Sequence, residues 1–248
     1  MTRVCAISLI LSLISLVASN LFVLSASNTG TDEINAALSA INEIRTKRGL
    51  HVLVHEESAS LAAALHAEEL AGRELLSHRS LNGERVAERY RLAGGTGTRA
   101  GENLGAGDSI ESILIAWMRS PSHRSNLLNP EWYSAGLGQA RTDGGRIVLV
   151  ASFSNSRWKD SALEVNGGIA TLSGRLVRSE AMAPPLISMR VGGNEIGPLL
   201  AEQGAATRMR FNFPVPQSWR EGGMIPILLS VMESGVEKHV DLLLLEVP

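Results

Sequence analysis

Two periodicities divide the chain. From Thr31 to about Gly94 apolar residues recur at helical spacing, whereas beyond residue 160 apolar and polar residues alternate as in strands. In the first part Ile34, Leu38, Ile41 and Ile44 mark one helix, with Asp32 and Glu33 in its first turn and Lys47, Arg48 and Gly49 as a stop. A second helix is predicted from about Ser58 to Leu76, carrying Leu61, Leu65 and alanines at 62 to 64 that permit close packing. A third, short one includes Val86, Tyr90 and Leu92 before the glycines at 94 and 95.

The stretch "RAGENLGAG" then reads as a glycine-punctuated loop. It leads to a helix started by Asp108 and Glu111, striped with Ile110, Ile113, Leu114 and Trp117, and ended by Pro121. "SAGLGQA" and "RIVLVASFS" read as strands joined by the turn "TDGGR". After "SNSRWKD" (154–160), Leu172 and Leu176, then Ile187, Met189 and Val191, then Met209, Phe211 and Phe213 alternate with polar residues. Short strands broken by Gly and Pro predict a small β-sandwich over 161–248. The 248 residues thus divide into two domains, which 44% hydrophobic residues can supply with cores.

The N-terminus changes the picture of where the chain works. Arg3 is followed by an apolar run without charge until Asp32, and Ala18-Ser19 and Ser25-Ala26 offer small residues for cleavage. Residues 1–26 are expected to be a signal peptide, or else an uncleaved N-terminal anchor, the one route to a membrane. Either way the protein is expected to be secreted, extracellular or in the cell envelope. Cys5 is the sole cysteine and precedes the apolar core, so a cleaved chain would have neither disulfides nor thiol chemistry. With 23 basic residues against 25 acidic ones, the charge gives no sign of a polyanion partner, and nucleic acid is set aside.

Six histidines are the candidates for chemistry. His51 and His55 with Glu56 imitate a metalloprotease helix, but Val52 stands where the glutamate is needed and the stretch alternates like a strand. His66 and His239 lie within predicted elements and read as structural. His78 in "LLSHRS" and His123 in "PSHRSN" sit in polar segments at helix ends, where an imidazole can meet a divalent ion. Glu102 in "GENL", with small neighbours, is the candidate third ligand.

"SHRS" (77–80), "GENL" (101–104), "AWMRSPSHRSNLLNP" (116–130) and "SAGLGQA" (134–140) together resemble the successive motifs of a bacterial-type SCP domain of the CAP superfamily, which includes cysteine-rich secretory proteins, antigen 5 and pathogenesis-related proteins. The resemblance covers residues 31–155. It implies an α+β chain: an α-β-α sandwich followed by the small all-β sandwich. It also implies a cleft with two His and two acidic residues, of which His78, Glu102 and His123 match three. The fourth, a glutamate soon after the tryptophan, is missing, since Met118, Arg119 and Ser120 follow Trp117. Ser122 also replaces a usual glycine and reads as loop variation.

Three functions follow. The first is a cleft of His78, Glu102 and His123 binding a divalent cation, zinc or magnesium, or a small molecule, lipid or cell-envelope component. The second is metal-assisted hydrolysis in that cleft, with Ser77, Ser80, Ser120 or Ser122 as alternative nucleophiles; no Gly-x-Ser-x-Gly elbow supports it. The third is a cell-surface interaction protein acting through the β-sandwich, where Trp219 could stack on a sugar but reads more simply as packing. Binding ranks first.

Overall fold

The computed structural model describes residues 30–177, 186–191, 194–200, 206–215, 219, 223–233 and 235–247. The apolar N-terminal run lies outside them. Among the described residues no helix is long and apolar enough to cross a membrane.

Helix α1 covers 30–46 and buries Ala37 and Ile41. A two-residue strand β1 (Val54–His55) precedes helix α2 (Glu57–Ala71), and α3 is Val86–Leu92. Strand β2 (Ala100–Gly107), helices α4 (Ile110–Arg119) and α5 (Pro121–Leu127), and strands β3 (Ser134–Arg141) and β4 (Ile147–Ser154) complete this part. The sheet order is β1-β3-β4-β2, with β1 parallel to β3 and the other pairs antiparallel.

Both faces of this sheet are covered, and β4 is accordingly buried along its whole length. Ile147, Leu149, Ala151 and Phe153 face a core with α1, α4 and α5 that includes Ile41, Trp117 and Leu127. Val148 and Val150 face Ala63, Ala67 and Leu70 of α2. The α2 backbone lies directly on β3: a Cβ at Gly136 would stand 2.0 Å from the Ser60 nitrogen, and one at Gly138 2.1 Å from that of Ala64. The alanine-rich face of α2 serves this approach, and the result is an α-β-α sandwich.

Four expectations need correction. "GENLGAG" is strand β2, paired with β4 along its length, and not loop. Its glycines make room for side chains on one face, because a Cβ at Gly105 would stand 2.5 Å from Ile113 and 2.9 Å from Trp117. Pro121 does end α4, but it also starts α5 at its first turn, where a missing N–H costs nothing; His123 is therefore helical. The cap of α4 is Ser109, which accepts from the Ser112 amide, rather than Asp108. Finally, α2 stops at Ala71, so His78 belongs to the α2–α3 connection.

The remainder is all β. Strands β5 (Trp158–Asn166), β6 (Ile169–Val177) and β9 (Ala206–Pro214) form one antiparallel sheet. Strands β7 (Leu186–Val191), β8 (Asn194–Leu200), β10 (Gly223–Glu233) and β11 (Val236–Val247) form another, in the order β11-β10-β7-β8. Leu172 and Phe211 of the first sheet share one core with Ile187, Ile227 and Leu243 of the second.

The edge strand β11 does not stay bare. Thr98 N donates to Val240 O at 3.2 Å and Leu242 N to Thr96 O at 2.7 Å, so residues 96–98 cover part of that edge. Asp241, fully buried, accepts from Thr96 Oγ1 at 2.7 Å and from the amides of Arg157 and Trp158 at 2.8 Å each. These bonds join the sandwich to the α-β-α part.

Candidate functional site

Strand β2 is an edge of its sheet, so residues from both faces can meet around it. Alternation places Glu102 and Leu104 toward α2, and Gly101, Asn103 and Gly105 toward α4 and α5. The Glu102 side chain is only 2% exposed. Its Oε2 accepts from Arg89 Nη2 of α3 at 2.6 Å, and its Oε1 from His78 Nδ1 at 2.8 Å. A buried carboxylate requires such partners, because desolvation without them disfavours the charge by several kcal/mol, roughly. Arg89 is itself held by Glu84 O at 2.8 Å.

The bond to Glu102 fixes the His78 ring with its proton on Nδ1 and leaves Nε2 as the lone-pair nitrogen. This side chain is 62% exposed, so the nitrogen is within reach of a ligand. Glu102 raises the His78 pKa above its ordinary value through the hydrogen bond, with burial and Arg89 acting against it. His123 moves the other way: burial lowers its pKa first, and the nearby His78 lowers it further. The two imidazoles are thus close enough that a charge on one opposes a charge on the other.

His123 reaches the site because α5 is tied to β2. Asn103 Nδ2 donates to His123 O at 3.0 Å, and Asn126 Nδ2 donates to Glu102 O at 3.0 Å. Both asparagines are structural, as amides in irregular surroundings tend to be. Beyond the far end of α5, Arg45 is buried completely. Its Nη1 donates to Leu127 O at 2.9 Å and Asn129 O at 3.0 Å, and its Nε to His51 O at 3.0 Å. Burial lowers the Arg45 pKa to about 10. Beside His123, Trp117, Leu104 and Ala116 line a largely apolar pocket of about 280 Å³.

Sequence spacing points to His78, Glu102 and His123 but misses Arg89 and Arg45. Arg89 could have been sought as the counter-charge of a glutamate in a cleft. Arg45 carries no such signal, because its partners are backbone carbonyls distant in the chain.

The donor set bears on the expected cation. Among the described residues no group of three or more His, Cys, Asp or Glu side chains is placed to hold a metal ion. Both Glu102 oxygens are engaged by protein, whereas His78 Nε2 is not bonded to any described residue. Glu102 thus stands behind His78 as its orienter, with the Nε2 of that ring left unbonded among the described residues. Ser77 Oγ accepts from the Arg79 amide, Ser80 Oγ donates to Glu84, and Ser120 pairs with Ser122, so none of the four serines bonds to either imidazole.

The remaining histidines are structural or peripheral. His51 stacks on Tyr133 and bonds Trp132 O, His66 is buried against Ser77 O, and His239 Nδ1 bonds Ser230 Oγ. His55 bonds Ser60 Oγ at the surface. Trp219 is 4% exposed and packs edge-on against Phe213, which removes it as a stacking platform.

Residues 38–153 match the CAP family, described as the cysteine-rich secretory protein family. The match makes this segment a CAP-type domain, and the all-β part lies outside it. A similar protein is YkwD of Bacillus subtilis (strain 168), uncharacterised, 31% identical over 98 residues, or 39% of this chain and 38% of that one. An uncharacterised protein of Borreliella burgdorferi is 24% identical over 147 residues, covering 56% of this chain and 94% of its own. The chain spans less than half the length of the Bacillus relative. Among solved structures, an outer surface protein from Borrelia burgdorferi gives a TM-score of 0.47 at 24% identity, covering 50% of this chain and 92% of that one. An extracellular protein containing a SCP domain from Bacillus anthracis gives 0.45 at 24%, covering 50% and 41%.

Proposed function

We propose that the protein is an exported binding protein whose cleft presents two imidazoles, His78 and His123, to a divalent cation or to a small ligand. The observation that carries this reading is the clamp on Glu102 between Arg89 and His78. It commits the carboxylate to orienting His78 rather than to direct ligation or proton transfer, and it leaves Nε2 outward. Neutral imidazole suits zinc or a similar borderline ion. Two protein ligands make such an ion exchangeable, with positions open to an organic ligand whose apolar part would enter the pocket beside Trp117. Such a cation would supply charge to fix an anionic or carbonyl group of that ligand. The apolar run that follows Arg3 supports placement outside the cytoplasm, with a small molecule, lipid or envelope component as partner.

Calorimetric titration of the protein with zinc, and separately with magnesium, tests this. Saturable zinc binding is expected, lost in His78→Ala and in His123→Ala and weakened about 10- to 100-fold in Glu102→Gln, the usual range for an outer-shell partner. Absence of binding by either ion, or binding indifferent to both histidines, would contradict the cation reading. A second reading rests on the same His78–Glu102 pair, because an oriented, exposed imidazole of raised pKa is also a general base. Hydrolysis of casein or of a peptide library, abolished by His78→Ala, would put it first.

A further inference from the structure

Where the CAP domain meets the β-sandwich lies a second pocket, of about 510 Å³, in the size range of small-molecule sites. Asn155 Nδ2 donates to Thr98 Oγ1 at 2.9 Å within its own part and to His239 O at 3.2 Å across to the other, and all three residues line the pocket. Tyr133 and Asn155 come from one part and Leu228, Lys238 and Val240 from the other.

The charges in this pocket form an alternating chain. Glu233 binds both Arg157 Nη1 and Lys238 Nζ, the latter at 3.3 Å. Glu131 in turn holds Lys238 at 2.9 Å and faces Arg99 at 3.8 Å. Arg157, Lys238 and Arg99 are three cations against two carboxylates, so one positive charge is in excess among these five side chains. Arg157 is the anomalous member. Its side chain is 1% exposed and lies 4.2 Å from the Tyr133 ring, with its Nε donating to Val177 O at 2.9 Å. Its Nη2, however, is buried without a hydrogen-bond partner among the described residues. A charged donor in that position is destabilising until an acceptor reaches it.

We propose that this pocket between the two domains binds an organic monocarboxylate, whose carboxylate meets Arg157 Nη2 and the neighbouring Arg99 and Lys238. One negative charge balances the excess; a phosphate, at roughly −1.5 to −2 near neutral pH, would overshoot it. With Nε and Nη1 already bonded, Arg157 offers the carboxylate a charge-assisted hydrogen bond from Nη2 alone. The volume exceeds what a bare carboxylate needs, and Tyr133, Leu228 and Val240 offer apolar walls to the rest of the molecule. A peptide C-terminus and a sugar acid share this chemistry.

Four probes distinguish the sources: N-acetyl-alanyl-alanine, its C-terminal amide, glucuronate and glucose, each titrated into the protein by calorimetry. At least one of the two acids is expected to bind saturably, and at least tenfold more tightly than its uncharged counterpart. Preference for the peptide acid assigns a peptide terminus, and preference for glucuronate a sugar acid. Arg157→Lys should abolish binding. Because that residue is buried, the companion variant is Arg99→Ala/Lys238→Ala, at side chains 58% and 37% exposed, which turns the local balance from +1 to −1. It should weaken binding at least tenfold with an unchanged melting temperature, whereas His78→Ala/His123→Ala should leave binding intact. The proposal is overturned if neither acid binds the wild type, if amide and glucose bind as well as the acids, or if the double variant binds like the wild type.

Discussion

The Arg89 guanidinium donates to a carboxylate oxygen of Glu102 at 2.6 Å, with both side chains almost completely buried. This pair holds the carboxylate that in turn orients His78. Removing one partner of a buried pair costs about 3–5 kcal/mol, and Arg89→Met should approach the lower end, since His78 remains to hold Glu102. Urea unfolding would measure the loss. In the same variant the His78 pKa should rise further, because Arg89 acts to lower it.

The two cleft imidazoles should titrate on opposite sides of the ordinary value of 6.5. His78, raised chiefly by its bond to Glu102, is protonated more readily folded than unfolded. Its contribution to stability is therefore complete below 6.5 and disappears as the pH rises through the raised value. His123, lowered by burial and by His78, works against folding as the pH falls through 6.5 toward its lowered value. Resolved imidazole proton shifts in a pH titration of the metal-free protein check both directions. Glu102→Gln should bring His78 down, and His78→Ala should bring His123 up.

Arg45 holds the end of α5, and with it the position of His123, through carbonyls at 127 and 129. Arg45→Ala would leave several buried carbonyls without donors, at about 1–3 kcal/mol each before water enters. A drop of at least about 3 kcal/mol in unfolding free energy is expected. Measured by hydrogen exchange, protection should fall in α5 more than in α2, which Arg45 does not touch.

Gly138 tests the helix-on-sheet contact. With a Cβ only 2.1 Å from the Ala64 nitrogen, Gly138→Ala must push α2 away from β3, and overpacking of this kind costs about 1–3 kcal/mol or more. Gly144→Ala, where the nearest atom would be 3.9 Å away, should leave the melting temperature unchanged.

Much of this arrangement can be read from the sequence, for reasons specific to each element. The helices α1 and α4 present regular apolar stripes, ending at Gly49 and Pro121, and β3 and β4 are β-branched or small-residue runs around a glycine turn. Strand β2 escapes such a reading because Gly101, Gly105 and Gly107 imitate a loop. Their reason lies across space, in Trp132, Trp117 and Ile113 against the sheet. In the same way α5 is hidden behind Pro121, which signals a stop and a start at once. Of the site, His78, Glu102 and His123 are visible through motif order. The division of labour among them is not, because it is set by Arg89, an arginine that looks like any other on a polar helix.

The most direct test of the account is imidazole nitrogen NMR of the protein with and without zinc. The expected result is that zinc shifts His78 Nε2 and His123 while the His78 Nδ1 proton stays bonded to Glu102. Loss of that proton with the Glu102 carboxylate moving onto the metal, or no change at either imidazole at saturating zinc, would contradict it.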